Sequence, residues 1–406
     1  MAQDKMFSGK KIILGITGGI AAYKAAFLVR ELIKAGAEVK VVMTPSATEF
    51  ITPLTLSSLT KNRVVVNTFP VSQHEEHSST WHIDYSLWAD LMIVAPATVN
   101  TIAKISHGIA DNALTTLVCA LRSPLIIAPA ADIDMYKNKF TQENIKKIED
   151  AGHFIVYPET GELASGLEGD GRLAGIEKIL DVTNLVLNGY RKDLTGKKIL
   201  VTAGPTYEDI DPVRFIGNRS SGKMGFEIAK AAFLRGAEVT LISGPSSEKI
   251  YPEIKFFKIR SSADMKIMVS QEIKSNDFLI MCAAVADFKP KTLSYKKIKK
   301  DDKIYSIPLT KTDDILKSID KKNKIVVGFA LETDNELYNA NKKMKEKNLD
   351  MIVLNSLQDK DSGFEVDTNK VTIISRHGKQ IKLPLLSKFL VANKIISEML
   401  KIVNIK

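Results

Sequence analysis

Cysteine is scarce in this chain of 406 residues: two, Cys119 and Cys282, stand far apart in apolar runs. That excludes a disulfide framework or a cysteine-built zinc site, and reads as two reduced core thiols in a cytoplasmic protein. No apolar run approaches the roughly 18–20 residues a membrane helix needs, so no membrane partner is expected. The start, MAQDKMFSGKK, has no apolar stretch of the signal-peptide kind. A G-x-G-x-x-G turn with a ribose-binding acid is missing, which argues against an NAD-dependent oxidoreductase. The lysines lack interleaved aromatics and no nucleic-acid motif occurs, so no nucleic acid is expected as partner. His74 and His77 stand in a polar loop without further ligands and read as solvated.

What is present belongs to a globular chain: 45% hydrophobic and 26% charged residues, long enough for two cores. The net charge of +10 arises wholly after residue 190. A polyphosphate nucleotide is the partner this suggests, beside the plain alternative of a lysine-rich solvated surface. The two halves also begin alike. GKKIILGITGG (9–19) has a counterpart in GKKILVTAGPT (196–206), AGAEVKVVMTP (35–45) in RGAEVTLISGP (235–245), and ADLMIVAPATV (89–99) in NDFLIMCAAVA (276–286). Each pair reads as apolar strand, small-residue turn, helix and strand. The fold class is therefore α/β, with two doubly wound Rossmann-like domains. The polar stretch LNGYRKDLTGK (187–197) is the linker, giving domains 1–190 and 191–406.

In the first half, Gly18 and Gly19 follow a strand and open a helix, where backbone amides can approach an anion. The absent dinucleotide fingerprint favours a mononucleotide. Thr98, Asn100 and Thr101, at another strand end, suit a heterocycle and its ribityl or ribose chain. In the second half, Gly217–Gly225 is rich in donors: Asn218, Arg219, Ser220, Ser221 and Lys223, with a helix starting near Gly222. Amides and a lysine at a helix start suit a triphosphate, yet Met224 after the lysine breaks the Walker spacing.

Ordered motifs then carry a resemblance. ITGGIAAYK, MT..A..F, WHID and WADLMIVAPAT.NTIAKI..GIADN in the first half, and AGPT…DPVRFI.N.SSGKMG, AAVADF, KKIKK, VGFALET and N.LD.IV.N in the second, span nearly the whole chain. Together they resemble the bifunctional coenzyme A biosynthesis flavoproteins, phosphopantothenoylcysteine decarboxylase fused to phosphopantothenate–cysteine ligase. The resemblance implies a flavodoxin-like FMN domain followed by a ligase domain with a mostly parallel sheet. The ligase half would join 4′-phosphopantothenate to cysteine with CTP and Mg²⁺ through an acyl-cytidylate, since activation gives a carboxylate a leaving group. Asn218 would hold that intermediate, with Arg214 in the same loop. Lys297 would offset charge on the phosphate. Ser220, Ser221, Gly222, Lys223, Asp287, Asp313, Asp314, Ile315, Leu316, Phe329, Lys343 and Lys347 would hold CTP. Asp313 departs from a common proline, and without the resemblance Lys343 and Lys347 read as a solvated i,i+4 pair. Protein ligands for Mg²⁺ are not implied; CTP phosphates would mainly hold it.

The decarboxylase half would bind FMN through Gly18, Gly19, Ile20, Thr44, Thr98, Asn100 and Thr101, with His82 as active-site histidine. Oxidising the thiol to a thioaldehyde creates an electron sink for the carboxylate's loss, and the reduced flavin then returns its hydride. The resemblance implies ligase dimers and flavoprotein trimers, in combination a dodecamer. Two departures meet here. Asp132, in PAADIDMY, stands where the family has Asn, and Ser165, in GELASGLEGDGRL, where it has a catalytic Cys. An ionised Asp132 accepts hydrogen bonds but would repel a substrate carboxylate, and a serine hydroxyl is a poorer acid than a thiol. The readings are a working decarboxylase variant with Asp132 protonated or repositioned, one that stops at an intermediate, and a flavin-bound oligomerisation or binding module beside an active ligase.

Overall fold

The computed structural model describes residues 5–69, 80–299, 306–332, 334–356 and 366–403; His74 and His77 lie outside them. The chain divides into two compact units, Met1–Tyr190 and Arg191–Lys406.

Unit 1 alternates strand and helix: β1 Lys11–Ile16, α1 Ala25–Lys34, β2 Glu38–Met43, α2 Pro53–Thr60, β3 Val64–Val65, α3 Trp81–Trp88 and β4 Leu91–Ala97. There follow α4 Val99–His107, α5 Ala113–Ala120, β5 Leu125–Pro129, α6 Ile133–Lys137, α7 Lys139–Asp150 and β6 Phe154–Ile155. A hairpin, β7 Glu159–Glu162 and β8 Glu168–Arg172, precedes α8 Ile176–Leu187. The first six strands form one parallel sheet in the order 3-2-1-4-5-6. This is a doubly wound order, and flavodoxin's 2-1-3-4-5 obeys the same switch-point rule. β4 and β5 are buried along their whole length, as strands covered on both faces must be. Leu28, Val29 and Leu32 form the buried stripe of α1.

Unit 2 repeats the plan: β9 Lys198–Ala203, β10 Tyr207–Asp209, β11 Phe215–Gly217, α9 Lys223–Leu234, β12 Glu238–Ser243, β13 Lys255–Lys258, α10 Ser262–Glu272 and β14 Phe278–Met281. It continues with β15 Phe288–Pro290, β16 Leu309–Lys311, α11 Ile315–Ser318, β17 Ile325–Glu332, α12 Glu336–Glu346 and β18 Met351–Ser356. Last come β19 Thr368–Asn369, β20 Val371–Ser375, β21 Gln380–Lys382, β22 Leu386–Ser387 and α13 Lys388–Val403. Its main sheet runs 13-12-9-14-17-18-20-21, parallel as far as β18 and antiparallel beyond. The internal repeat is visible in register: Lys11 pairs with Glu38 in unit 1, and Lys198 with Glu238 in unit 2. The carboxylates at the two equivalent strand starts also match. Asp90 accepts from Lys11 N at 2.8 Å, and Asp277 from Lys198 N at 2.9 Å. Arg235, almost fully buried, closes the far end of unit 2. It donates from Nε and Nη2 to Asp193 at 2.8 and 2.7 Å and from Nη1 to Asn393 O at 2.9 Å, tying α9 to α13.

One expectation fails. Cys119 is exposed on α5, not a core thiol, because it falls on the helix face away from Leu114 and Leu117. Cys282 is half-buried, and desolvation of its sulfur pushes the thiol up to about 12.

Candidate active sites

In unit 1 the carboxyl ends of β1, β4 and β5 open onto a cavity of about 600 Å³ at the point where strand order reverses. Thr17 stitches that point together: its hydroxyl donates to Pro96 O at 2.7 Å and accepts from Thr98 N at 2.9 Å. Gly18, Gly19, Ile20, Thr98 and Asp132 all line the cavity. A Cβ on Gly18 would stand 2.4 Å from Ser46 Oγ, so the turn and the loop after β2 can close only around a glycine. Thr44, Asn100 and Thr101 are not in the lining: Thr44 is buried beside Ser46, 3.2 Å between hydroxyls, and Thr101 takes part in the Thr98 cap of α4. The small-residue turn, the cap threonine and the cavity's size suit a flavin mononucleotide.

The hairpin covers this cavity. Glu162–Ala164 and Gly171–Leu173 line it from above, while Ala131 N donates to Gly171 O at 3.0 Å. Gly171 has φ +145°, and a Cβ there would lie 2.2 Å from Ala131 O. The turn is pinned by Leu163 N to Leu167 O at 2.8 Å, which puts Ser165 at the tip. Its hydroxyl donates to Asp132 Oδ2. The two departures from the family pattern are thus partners. Asp132 sits at the N-cap position of α6 but makes no side-chain cap bond, because its carboxylate faces Ser165. His82 is on α3, edge-on to Trp81 at 5.8 Å between ring centroids. Its enclosed Nδ1 has no hydrogen-bond partner among the described residues, and it is not part of the cavity lining.

In unit 2, residues distant in sequence converge on a cavity of about 490 Å³: Asp287, Asp313, Asp314, Ile315, Leu316, Phe329, Lys343 and Lys347. Lys347 Nζ lies 3.2 Å from Asp314 Oδ2, and Lys266 Nζ 2.7 Å from Asp313 Oδ2. Lys343 is not on a solvated face. Burial, then the charge of Lys347, holds its ammonium below the usual lysine value, while Glu332, Asp287 and Asp314 oppose that. Ala283 and Val285 line the same cavity, and Asn218 Nδ2 donates to the carbonyls of Ala284 at 3.2 Å and Val285 at 3.1 Å. The donor-rich loop is therefore tied to the cavity wall.

Asp211 is a residue that sequence reasoning missed, although it stands in the DPVRFI stretch. It is buried, and burial alone would raise its carboxyl. Backbone N–H groups of Val213, Ile298 and Arg214 and the Arg214 guanidinium outweigh that and hold it below the usual range. Arg214 Nη1 lies 3.3 Å from Asp211 Oδ2 and its Nη2 3.3 Å from Ile298 O. Asp211 thus gathers Arg214 and the strand of chain bearing Lys297, itself exposed and outside the cavity lining. Gly222, at φ +84°, caps the start of α9, but Ser220, Ser221, Gly222 and Lys223 do not line the cavity; Lys223 pairs with Asp367. Among the described residues no group of three His, Cys, Asp or Glu is placed to hold a metal ion, and no helix is long and apolar enough to cross a membrane.

Two doubly wound units, one with a flavin-sized cavity and one with a lysine-lined cavity of mixed charge, define a two-domain α/β flavoprotein enzyme. The profile of the Flavoprotein family matches residues 1–188, and that of the DNA/pantothenate metabolism flavoprotein C-terminal domain matches residues 194–403. A Bacillus subtilis protein named coenzyme A biosynthesis bifunctional protein CoaBC is 43% identical over 397 residues, 97% of each chain. A protein from an unknown prokaryotic organism, named cysteine/cysteine sulfinic acid decarboxylase, is 45% identical over 361 residues, 87% of this chain and 100% of its own. The crystal structure of the C-terminal domain of a CoaBC protein is 41% identical, covers 52% of this chain and 98% of its own, and superposes with a TM-score of 0.46. The chain belongs to the bifunctional coenzyme A biosynthesis protein family, and it is an enzyme of coenzyme A biosynthesis.

Proposed function

We propose that residues 191–406 ligate 4′-phosphopantothenate to cysteine at the expense of CTP, and that residues 1–190 bind FMN and decarboxylate the product to 4′-phosphopantetheine. The observation that carries this is the convergence of eight residues, spaced from 287 to 347, on one cavity lined by four lysines, Lys343 and Lys347 among them. Lys343 and Lys347 attract the triphosphate, Asp314 orients Lys347, and Mg²⁺ travels on the phosphates. Asp211 keeps Arg214 and the Lys297 segment in register, so positive charge meets the α-phosphate as the carboxylate attacks. The Asn218 amide, anchored to the cavity wall, holds the acyl-cytidylate until the cysteine amine displaces CMP.

In unit 1 bound FMN supplies the hydride acceptor and donor that make loss of CO₂ feasible. The chain's own residues do the rest. The Gly18–Gly19 turn and the Thr98 cap position the cofactor, and the hairpin excludes water from the cavity. Ser165, held by Asp132, stands at the tip where a proton must be delivered to the ene-thiolate, so this half is a working variant. His82, outside its own chain's cavity, serves a neighbouring copy in a trimer, while ligase units pair as dimers and both contacts together build a dodecamer. Free Cys119 and Cys282 suit the reducing cytoplasm. The test is a coupled assay on the whole chain: formation of CMP from CTP or of AMP from ATP with 4′-phosphopantothenate and cysteine, and CO₂ release from 4′-phosphopantothenoylcysteine. CTP preference and CO₂ release are expected. Equal rates with ATP would overturn the nucleotide assignment, and absence of CO₂ would overturn the working decarboxylase.

A further inference from the structure

α12 and its cap carry two of the lysines of the unit 2 cavity, Lys343 and Lys347, the second as the C-cap residue. The helix end closes on itself. Asn348 turns left-handed at φ +48°, so that its N donates to Lys345 O at 3.1 Å and Leu349 N to Met344 O at 2.9 Å. Arg376 holds the chain just beyond, donating from Nε and Nη2 to Leu349 O at 3.2 Å and from Nη2 to Asn348 Oδ1 at 2.8 Å. The carbonyl of Lys347 lies outside that pattern. It accepts from Lys321 Nζ, a side chain 26 residues upstream in the turn after α11. Lys321 is half-buried, and its charge is poorly placed for stability. Burial, then the positive charges of Arg376 and Lys347, hold its ammonium below the usual lysine value, while Asp314 and Asp350 oppose. Asp350 is committed elsewhere: its Oδ2 accepts from Val326 N at 2.9 Å, and its Oδ1 lies 3.5 Å from Arg376 Nη1. Asp314 caps α11 through Lys317 N at 3.2 Å and offers its other oxygen to Lys347 Nζ, also at 3.2 Å. Lys321 and Lys347 therefore share the field of one carboxylate. A cation held at some cost on the backbone of Lys347 is better placed to aim that residue than to stabilise the helix.

We propose that Lys321 is a positioning residue for CTP: it fixes the backbone of Lys347 and offsets the charge of Asp314, which keeps the Lys347 ammonium available to the triphosphate. The inference rests on the reading that Lys347 meets CTP. Lys321 itself is not part of the cavity lining, so its effect passes through two contacts. The backbone bond keeps the end of α12 against the turn after α11, and α11 with its cap supplies Asp314, Ile315 and Leu316 to the cavity. The second contact is electrostatic. Without Lys321, Asp314 attracts Lys347 more strongly, and the ammonium must leave a tighter pair before it meets phosphate.

The experiment follows CMP formation by the full chain, with kcat measured and KM determined for CTP, 4′-phosphopantothenate and cysteine in turn. Lys321→Met is expected to raise KM for CTP roughly 5- to 20-fold, with kcat and the other two KM values within about twofold of wild type. Lys321→Arg, which keeps a charged donor, should return KM for CTP to near the wild-type value. Lys321→Gln, a donor without the charge, should fall between them, and it carries the test if the methionine variant does not fold. A merely structural cap would not couple to Asp314. In an Asp314→Asn background, where the competing charge is gone, Lys321→Met should therefore raise KM for CTP far less than it does in wild type. An unchanged KM for CTP in Lys321→Met overturns the proposal, as does an equal rise in all three KM values or full additivity in the double variant. Failure of the nucleotide reading shows separately, as wild type forming no CMP from CTP or as Lys347→Met leaving KM for CTP unchanged.

Discussion

Replacing Gly171 by alanine tests whether the hairpin is a working wall of the decarboxylase cavity. The new Cβ would lie 2.2 Å from Ala131 O, at a backbone φ of +145°. Ordinary contact needs about 3.2 Å or more, so β8 must retreat by roughly 1 Å. That stretches the Ala131 N to Gly171 O bond, now 3.0 Å, beyond hydrogen-bond range. The lost bond costs about 0.5–1.5 kcal/mol, and the forbidden backbone region about 1–2 kcal/mol more. A total of roughly 2–3 kcal/mol detaches a hairpin without unfolding a domain worth about 5–15 kcal/mol. The expected phenotype is faster proteolytic nicking within 159–172 and CO₂ release lowered at least tenfold. CMP formation by the other unit stays at the wild-type rate and serves as an internal control. Wild-type proteolysis together with wild-type CO₂ release would refute the reasoning, since the wall would then be dispensable or the contact absent.

Other outcomes follow from the same geometry. Ser165→Ala should slow CO₂ release about 10- to 100-fold, and Asp132→Asn should change it by a factor that depends on Ser165; additivity in the double variant, read from rates, would deny that the pair acts as a unit. Asn218→Asp should keep CTP affinity but slow acyl transfer about 100-fold, because a carboxylate would face the Ala284 and Val285 carbonyls as well as the intermediate's phosphate; an unchanged rate in single-turnover assays counts against the loop assignment. Lys343, its ammonium disfavoured by burial, destabilises the fold wherever the unfolded chain keeps the proton. That penalty is complete below its folded pKa and is relieved as pH rises through it toward the ordinary 10.5. Lys343→Met should therefore raise the melting temperature by a few degrees at pH 7 without nucleotide while weakening CTP about tenfold or more. Calorimetry should also show wild-type CTP affinity falling as pH climbs through that lowered value; flat affinity up to pH 10 would remove Lys343 from the site.

The strand–turn–helix rhythm, its repetition and the switch of partners at residue 190 were legible in the sequence, because buried parallel strands must be apolar throughout and the turns after them small. The same local signals found Gly18, Gly19 and Thr98, which sit at strand ends by construction. Periodicity misled at Cys119, where an apolar helix turns one face to solvent. It would also have left Lys343 and Lys347 as a solvated pair, for burial on α12 depends on Phe329 and Asp314 arriving from elsewhere in the chain. Asp211 was invisible for the same reason: its role comes from two loops 87 residues apart meeting at one carboxylate. Ser165 and Asp132, 33 residues apart, were expected in one site, and only the hairpin's fold over α6 made them donor and acceptor. The sequence determined which segments become strands and turns, since backbone preference and burial act locally. The tertiary structure decided which charges face one another, since that depends on long-range packing with no imprint on spacing.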